Sequence, residues 1–135
     1  NFVLQRKDQL FSYQLAVVVD DAQQKISHII RGSDLYQQTP QQVWLQACLN
    51  YKQPSYGHLP IIVNGQGQKL SKQNLATPLD MLQAPALMSE ALERLGHPAP
   101  CGLRQAPVAE QLEWAAGQWD IECVPKRMQD PIAFV

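Results

Sequence analysis

The sequence has 135 residues, of which 45% are apolar and 17% charged, and its formal net charge is -1, from 11 Lys and Arg against 12 Asp and Glu. This length fits one domain or part of a larger one, and the composition supports a packed core and argues against wholesale disorder. The near-neutral charge disfavours a protein that binds nucleic acid through bulk positive charge. The longest apolar runs, residues 15–19 and 59–63, are far too short to span a bilayer, so no membrane partner is predicted.

The cysteines predict the cellular compartment. All three are widely spaced and form neither a disulfide framework nor a CxxC metal pair: Cys48, Cys101 and Cys123. This usage fits a reducing cytoplasm. The chain does not start with Met and opens without a signal segment, so we expect it to be a piece of a longer polypeptide. Neither metal binding nor catalysis is assigned to the histidines, which lack ligand spacing: His28, His58 and His97.

In the first part of the chain, the predicted elements mix strands and helices. Residues 2–5 are predicted as a short strand, and residues 13–21 stay open between a buried strand, which their three consecutive valines favour, and a buried helix. A strand is predicted over residues 26–31, which contain three isoleucines and precede Gly32. A helix then begins at Thr39, a capping residue, with Pro40 at its first position. Its expected apolar face consists of Val43, Trp44, Ala47 and Cys48.

The second part of the chain contains one more predicted strand and two helices. Residues 59–63 are predicted as a strand that ends in the turn Asn64-Gly65, and residues 65–74 as a polar loop with two lysines. The helices are predicted from two apolar sets at helical spacing: Leu87, Met88, Ala91, Leu92 and Leu95, and Val108, Leu112, Ala115, Ala116 and Trp119. This order predicts an α/β fold, with the end of an α/β domain in residues 1–75 and a small helical extension in residues 76–135.

Two lysines in the predicted loop are the first candidates for chemistry. Lys69 and Lys72 stand on either side of Ser71, at a spacing that lets two ammonium groups reach polyphosphate oxygens. Such a pair would stabilise the charge that develops as pyrophosphate leaves. On composition alone, a solvated lysine loop without a ligand remains the alternative.

Arg31 and Tyr13 are the next candidates. Arg31 ends a predicted strand, and ligands bind at the carboxyl ends of strands in open α/β sheets, so its guanidinium can grip a carboxylate. The alternative is a surface arginine that pairs with Asp21 or Asp34. Tyr13 can pack its ring and offer its hydroxyl to a ligand, or it can be a plain core residue.

Four segments of the chain together resemble the catalytic domains of class I glutamyl-tRNA synthetases. In chain order they are residues 13–21 (YQLAVVVDD), 28–35 (HIIRGSDL), 58–60 (HLP) and 67–74 (GQKLSKQN). Their order and spacing resemble those of the family, and the last segment resembles the class I lysine-serine-lysine loop that contacts ATP. The resemblance implies that residues 1–75 form the C-terminal part of a Rossmann-like catalytic domain. It also implies that residues 13–21 are largely helical, against their local propensity.

Within this family, the chain most resembles the short paralogues that lack an anticodon-binding domain. Full-length synthetases usually carry Asn where this chain has Val17, and too few residues follow Asn74 to form that domain. The resemblance implies an enzyme that activates L-glutamate with ATP, accompanied by Mg²⁺, and transfers glutamate to the queuosine base at the wobble position of tRNA(Asp). Two alternatives stay open: a fragment of a glutamyl-tRNA synthetase that charges tRNA, and a tRNA-binding module without catalysis.

The same resemblance assigns roles to individual residues. By position, Tyr13 and Arg31 would contact glutamate, and Lys72 would contact ATP. Lys69 and Ser71 would shape the loop and complete the catalytic set. The family's zinc site and its other ATP motif belong to a region N-terminal to this chain, so no metal is assigned and this chain alone is expected to be incomplete and inactive.

Overall fold

The computed structural model describes residues 1–71 and 76–131, and it divides the chain into two compact units, Asn1–Leu59 and Pro60–Val135. Each unit combines helices with a pair of parallel strands, so the predicted α/β class is confirmed. The predicted domain boundary at residue 75 lies outside the described residues and stays a prediction. Within the described ranges, no helix is long and apolar enough to cross a membrane.

The first unit is a helix followed by a strand–helix–strand arrangement. Its elements are helix α1, strand β1, helix α2 and strand β2, at Tyr13–Gln23, His28–Gly32, Thr39–Cys48 and Ser55–Leu59, with a 3-10 helix at Ser33–Gln38. Parallel strands need a crossover, and here it is provided by α2, which also packs against α1. The register of β1 and β2 pairs Arg31 with His58, near the carboxyl ends of both strands.

Helix α1 forms where local propensity favours a strand. It contains the three consecutive valines, of which Val18 is 1% exposed and belongs to the core. Packing of one helical face thus outweighs the β preference of valine, which is a weak guide by itself. The helix implied by the family resemblance is confirmed.

Residues 2–5 do not form the predicted strand. Their backbone pairing within the described chain is an isolated antiparallel bridge between Gln5 and Phe11. The chain reverses between these two residues, where the N–H of Arg6 donates to the carbonyl of Leu10 at 2.8 Å and Gln9 takes a φ of 65°. A tight reversal next to the polar cluster leaves too little extended chain for a strand.

Helix α2 begins at the predicted residue but buries a different face. Trp44 is 57% exposed and Cys48 is also exposed, so the predicted apolar face is wrong. The residues that α2 buries are Gln42, Leu45 and Gln46. Two of these are glutamines, because the elements that face α2 offer polar partners to their amides.

The strand predicted over residues 59–63 is divided by Pro60, which has no N–H to donate to a strand ladder. Strand β2 ends before it, and strand β3, Ile61–Val63, follows it in the second unit. β3 pairs in parallel with strand β4, Gln129–Pro131, which the sequence patterns did not predict. The turn predicted after β3 is confirmed, since Asn64 Oδ1 accepts from the N–H groups of Gln66 and Gln68 at 3.0 and 2.9 Å.

Helices α3 and α4, Ala84–Arg94 and Val108–Gln118, lie where the sequence predicts them. The chain leaves α3 through Gly96, whose φ is 81° and where a Cβ would collide with the carbonyl oxygen of Cys123. The apolar core of this unit consists of Val63, Leu92, Ala99 and Ala115.

The apolar face predicted for α4 is only partly correct. Ala115 is buried, but Leu112 is 48% exposed and the neighbouring Gln111 is fully buried in its place. The Gln111 amide donates to the carbonyls of Pro85 and Ala106, both at 2.9 Å. Helix α4 is therefore rotated about its axis by about one residue from the predicted orientation, because the Gln111 amide satisfies two buried carbonyl groups.

Candidate functional site

Arg31 lies near the carboxyl end of β1, and its partly buried guanidinium is held by three side chains. Nη1 donates to Oε1 of Gln42 at 2.7 Å, and Nη2 donates to Oγ1 of Thr39 at 2.7 Å. Nε donates to Nε2 of His58, its partner across the sheet, at a long 3.4 Å. Amide, hydroxyl and neutral imidazole carry no negative charge, so these contacts hold the guanidinium without compensating its charge.

A chain of glutamine side chains fixes Gln42. Its Nε2 donates to Oε1 of Gln14 at 2.7 Å, and Nε2 of Gln14 donates to Oε1 of Gln38 at 2.6 Å. A guanidinium only donates, so Arg31 requires the oxygen of Gln42. Each following amide must then present its own oxygen to the amide before it. The orientation of three glutamines thus follows from one arginine.

The ring of Tyr56 contacts the same guanidinium, and two further rings pack next to it. Cζ of Arg31 lies 5.1 Å from the centre of the Tyr56 ring, within the range of a cation–π contact. The rings of Tyr56 and His58 are nearly parallel, with centres 6.4 Å apart, and Tyr36 meets His58 edge-on at 5.1 Å. The Tyr56 hydroxyl accepts a hydrogen bond from Nε2 of Gln46 at 2.8 Å. The candidate site therefore combines the Arg31 guanidinium with aromatic rings packed beside it.

Thr39 and His58 complete the cluster, and neither role was predicted. The Thr39 hydroxyl does not cap α2, whose N-terminal cap position is Gln38 without a side-chain cap; it lies 3.0 Å from Nε2 of His58. Burial first, and then the charge of Arg31, lower the pKa of His58. In a neutral imidazole with Nε2 unprotonated, one lone pair faces both the Arg31 donor and the Thr39 hydroxyl, whose proton has the Leu35 carbonyl at 3.5 Å as its other acceptor. The pairing of β1 with β2 places His58 here, and histidine spacing along the sequence carries no sign of it.

Asp21 interacts with Arg31 through charge alone among the described contacts. Burial is the main effect, and it raises the pKa of the Asp21 carboxyl; the charge of Arg31 lowers this pKa and Asp20 raises it. The hydrogen bonds of the guanidinium go to neutral groups instead. The interpretation of Arg31 as a surface arginine paired with Asp21 is therefore wrong.

Tyr13 is the first residue of α1 and is 53% exposed, so the alternative of a plain core tyrosine is wrong. The next residue, Gln14, belongs to the hydrogen-bonded chain that leads through Gln42 to Arg31. The structure thus places both predicted glutamate contacts in the first unit, and the residue after Tyr13 is joined to Arg31 through Gln42. Their binding of glutamate stays a prediction.

Open space lies beside this cluster. Residues of the 3-10 helix and of α2 line a cleft of about 450 Å³: Tyr36, Gln37, Thr39, Pro40 and Val43. A larger cleft of about 640 Å³ lies at the amino ends of β1 and β2, between residues 21–28 and 50–55. The described lining of neither cleft includes Tyr13 or Arg31, but that of the smaller cleft includes Thr39, which bonds to Arg31. We therefore place the candidate site at the smaller cleft, which shares Thr39 with the arginine cluster.

The predicted lysine loop lies in the second unit, directly after β3. Lys69 forms an isolated antiparallel bridge with Val63, and the carbonyl of Ser71 accepts the N–H of Ala76 at 3.2 Å. This part of the loop therefore folds back along the strand. Lys72, the predicted ATP contact, lies outside the described residues. The roles of the three loop residues stay predictions.

Across residues 1–71 and 76–131, no group of three or more His, Cys, Asp and Glu side chains could hold a metal ion. All three cysteines are free and exposed. His97 is buried in the second unit, stacks on Trp119 at 4.4 Å and accepts the N–H of Asp120 at 2.9 Å, which is a structural role.

Comparison with known proteins gives one consistent family. The family model described as tRNA synthetases class I (E and Q), catalytic domain, matches residues 1–99. Curated relatives named glutamyl-Q tRNA(Asp) synthetase are 56% identical over 115 residues in Synechococcus sp. and 50% identical over 125 residues in Thiobacillus denitrificans. These matches cover 85% and 93% of this chain. They cover 38% and 42% of the relatives, so the chain spans less than half of their length.

Two solved structures are similar in fold. They are a glutamate-tRNA synthetase from Elizabethkingia anophelis, with a TM-score of 0.67, and a glutamate tRNA ligase from Elizabethkingia meningosepticum in complex with its amino acid, with a TM-score of 0.65. Both are 20% identical to this chain and cover 96% of it, and the matches span 30% and 29% of the solved chains. This likeness confirms the predicted fold, that of a class I synthetase catalytic domain.

Proposed function

Because this chain belongs to the family of class I tRNA synthetase (E and Q) catalytic domains, we propose that its full-length protein activates glutamate with ATP and transfers it to a tRNA. We further propose that the acceptor is the queuosine base at the wobble position of tRNA(Asp). The names of the relatives that match most of this chain support this choice of acceptor. The three exposed free thiols suit a reducing cytoplasm, where we place the enzyme.

The neutral hydrogen-bond partners of Arg31 are the observation that carries the proposal. Among its described contacts, three of the five guanidinium N–H donors go to neutral side chains. One donor on each terminal nitrogen is left for a ligand, an arrangement that suits the two oxygens of a carboxylate. Arg31 also lies at the strand end where open α/β sheets bind ligands. The exposed Tyr13 would supply a second contact to glutamate.

The proposed reaction has two steps. One carboxylate oxygen of glutamate attacks the α-phosphorus of ATP, the bond to the β-phosphate oxygen breaks, and pyrophosphate leaves. The queuosine base then attacks the glutamyl carbonyl carbon and releases AMP. Glutamate has two carboxylates, so Arg31 can hold one while the other reacts.

The lysine loop would serve the first of these steps. Lys72 would contact the ATP phosphates, which bring Mg²⁺ with them, and Lys69 and Ser71 would shape the loop. Charge moves onto pyrophosphate as it leaves, and positive groups placed in advance stabilise that charge. The support is the spacing of these residues and the membership of residues 1–99 in the family.

A transfer assay with the full-length protein tests the proposed acceptor. Labelled glutamate and ATP are supplied with tRNA(Asp) that carries queuosine, with the same tRNA that lacks queuosine, and with tRNA(Glu). We expect label only on the first tRNA, at the anticodon. Label on the terminal adenosine of tRNA(Glu) would instead establish an ordinary glutamyl-tRNA synthetase. Absence of glutamate-dependent pyrophosphate exchange, while tRNA binding persists, would establish a binding module.

Replacement of one lysine tests the ATP step. Lys72→Ala should slow pyrophosphate exchange by about 10²–10³-fold, the usual effect of removing one donor to a developing charge. The melting temperature should not change, because a lysine in a polar loop contributes little to stability. Lys126→Ala, which removes an exposed lysine paired with Glu122, is the control and should exchange normally. Normal exchange by Lys72→Ala would reject its assigned role.

A further inference from the structure

We propose that Gln42 is a positioning residue, whose buried amide, oriented by Gln14, fixes the Arg31 guanidinium in the direction that a substrate carboxylate needs. This inference rests on the proposed function, because it takes Arg31 as the group that receives the carboxylate. It concerns a residue that touches neither substrate nor cofactor in that proposal. Gln42 would act only through Arg31.

The contacts of Gln42 connect three elements of the first unit. Its amide oxygen receives Arg31 of β1, and its amide nitrogen donates to Gln14 of α1, while Gln42 itself belongs to α2. The side chain is 1% exposed, so water does not compete for either contact. An arginine has many rotamers, and a fixed partner reduces the ordering that a ligand would otherwise have to impose.

The chemical type of residue 42 also matters. A glutamate at this position would hold the guanidinium more strongly, but its charge would compete with the carboxylate of the ligand. A methionine of similar volume would leave the guanidinium without this partner. Glutamine offers the oxygen that Arg31 needs without the negative charge, and the neutral Thr39 and His58 follow the same rule.

Gln46 provides the matched control in the same helix. It lies one turn further along α2, is 2% exposed and donates to the hydroxyl of Tyr56 at 2.8 Å. Its Oε1 has no hydrogen-bond partner in the described part of the chain. Gln46→Met thus makes the same chemical change at an equally buried position; it keeps all three hydrogen bonds of Arg31 and removes only the one to the Tyr56 hydroxyl.

The experiment compares Gln42→Met, Gln42→Glu and Gln46→Met in the full-length protein, by glutamate-dependent pyrophosphate exchange. We expect Gln42→Met to raise the KM for glutamate about tenfold, the effect of losing one hydrogen bond to a charged group. Gln42→Glu should raise it further, to about 100-fold, because the new carboxylate pairs with Arg31. The KM for ATP should not change in either variant, and Gln46→Met should keep the wild-type KM for glutamate.

A second measurement tests positioning without any substrate. The Nε–Hε signal of Arg31, identified by its loss in Arg31→Lys, is recorded by NMR in each variant. We expect a single shifted signal in the wild type and in Gln46→Met, and an averaged signal in Gln42→Met. If Gln42→Met does not fold, Gln14→Leu removes the group that orients Gln42, together with the donor to Gln38, but keeps Gln42 itself; the same averaging is expected to a smaller degree.

The outcomes separate this inference from the proposed function. If the wild type exchanges pyrophosphate but Gln42→Met and Gln46→Met have equal KM values for glutamate, the inference is overturned and the proposed function stands. If the wild type shows no exchange with glutamate, the proposed function fails. In that case the inference fails with it as a statement about substrate, and the Arg31 signal decides only whether Gln42 fixes the side chain.

Discussion

Each unit of this protein contains a partly buried arginine, and the partners of the two side chains differ in charge. In the first unit, Arg31 donates to neutral side chains. In the second, Arg94 pairs with the carboxylates of Glu90 at 2.7 Å and Asp130 at 3.1 Å, and the hydrogen bond to Glu90 is the main effect that raises its pKa. A compensated arginine ties elements together, whereas an uncompensated one keeps its attraction for an anion. The difference in partners therefore separates a structural arginine from the arginine that we propose binds the ligand.

Asp130 explains what the Arg94 cluster stabilises. This carboxylate in β4 is 6% exposed, and its two oxygens are shared between Arg94 of α3 and Arg127, at 3.1 and 2.8 Å. Two cations, Arg94 and Arg127, and two carboxylates, Glu90 and Asp130, leave this cluster with no excess charge for a ligand. The cluster thus attaches the short strand β4 to helix α3, which the three ladder pairs with β3 alone would hold weakly.

Replacement of each arginine is the strongest test of this difference between Arg31 and Arg94. Arg31→Ala should raise the KM for glutamate about 10- to 100-fold, because a charge-assisted pair contributes about 1.5–3 kcal/mol. Arg31→Ala should lower the melting temperature less than Arg94→Ala does. Pyrophosphate exchange at a series of glutamate concentrations measures the first effect, and thermal unfolding the second.

Arg94→Ala is the matched control for Arg31→Ala. It should lower the melting temperature and leave the KM for glutamate unchanged, because Arg94 compensates carboxylates within the second unit. Equal glutamate affinity in the wild type and Arg31→Ala, or a raised KM in Arg94→Ala, would remove the distinction between the two arginines.

Replacement of Asp130 tests the structural half of the comparison. Asp130→Ala should destabilise the full-length protein by about 2 kcal/mol. Breaking a fully buried pair costs about 3–5 kcal/mol, and here Arg94 and Arg127 are partly exposed and can be hydrated. Asp130→Asn keeps the shape and some hydrogen bonding, and should lose less. Urea unfolding measures the stability of both variants. An Asp130→Ala variant as stable as the wild type would show that the cluster does not stabilise the attachment of β4 to α3.

The two arginines also show what a sequence can predict. Arg31 was found as a candidate because it follows a β-branched run and precedes Gly32, which are local features. Gln42 was not found, because a glutamine in a helix is usually a surface residue. Its one sequence signal is the four-residue spacing of Gln38, Gln42 and Gln46, which puts three amides on one face of α2. The partners of that face are remote in sequence, so burial of polar groups cannot be predicted from the helix alone.

The errors in helix orientation have the same physical cause. The positions of α2 and α4 follow from prolines near their first residues and from apolar spacing, which are local, and they were predicted correctly. Their buried faces depend on what they pack against. Gln42 meets a guanidinium and Gln111 meets two backbone carbonyls, so polar residues occupy positions that hydrophobicity assigns to Trp44 and Leu112.

The titration of His58 also tests this difference between the two arginines, because the pKa of His58 depends in part on the charge of Arg31. Burial and Arg31 lower the pKa of His58 from its usual 6.5, so the unfolded chain binds the proton more readily. The stabilising contribution of neutral His58 is therefore present above pH 6.5 and is lost as the pH falls through the lowered pKa. Between pH 8 and pH 5, the free energy of unfolding should fall more in the wild type than in His58→Gln. The difference between these two losses should be smaller than the destabilisation expected for Asp130→Ala. Urea unfolding at the two pH values checks this, and equal losses would contradict it.

The smallest predicted effect is at Asp21, and its sign decides whether Arg31 is compensated. If Asp21 neutralised Arg31 as Glu90 neutralises Arg94, its pKa would be lowered and Asp21→Asn would destabilise the protein. Burial instead raises the pKa of Asp21 above its usual 3.8, against the opposing charge of Arg31. The contribution of protonated Asp21 to stability is thus complete below pH 3.8 and is lost as the pH rises through the raised pKa. At pH 7 the ionised carboxylate therefore destabilises the folded protein.

Asp21→Asn should therefore raise the melting temperature slightly at pH 7, by an amount equivalent to less than about 0.5 kcal/mol. The difference from the wild type should shrink as the pH falls through the raised pKa and below 3.8, where Asp21 becomes protonated in both states. Asp20→Asn removes only the neighbouring repulsion, which is the least of the three effects on Asp21, and should give a smaller rise. A lower melting temperature for Asp21→Asn at pH 7 would mean that Asp21 compensates the arginine after all, and Arg31 would then resemble Arg94.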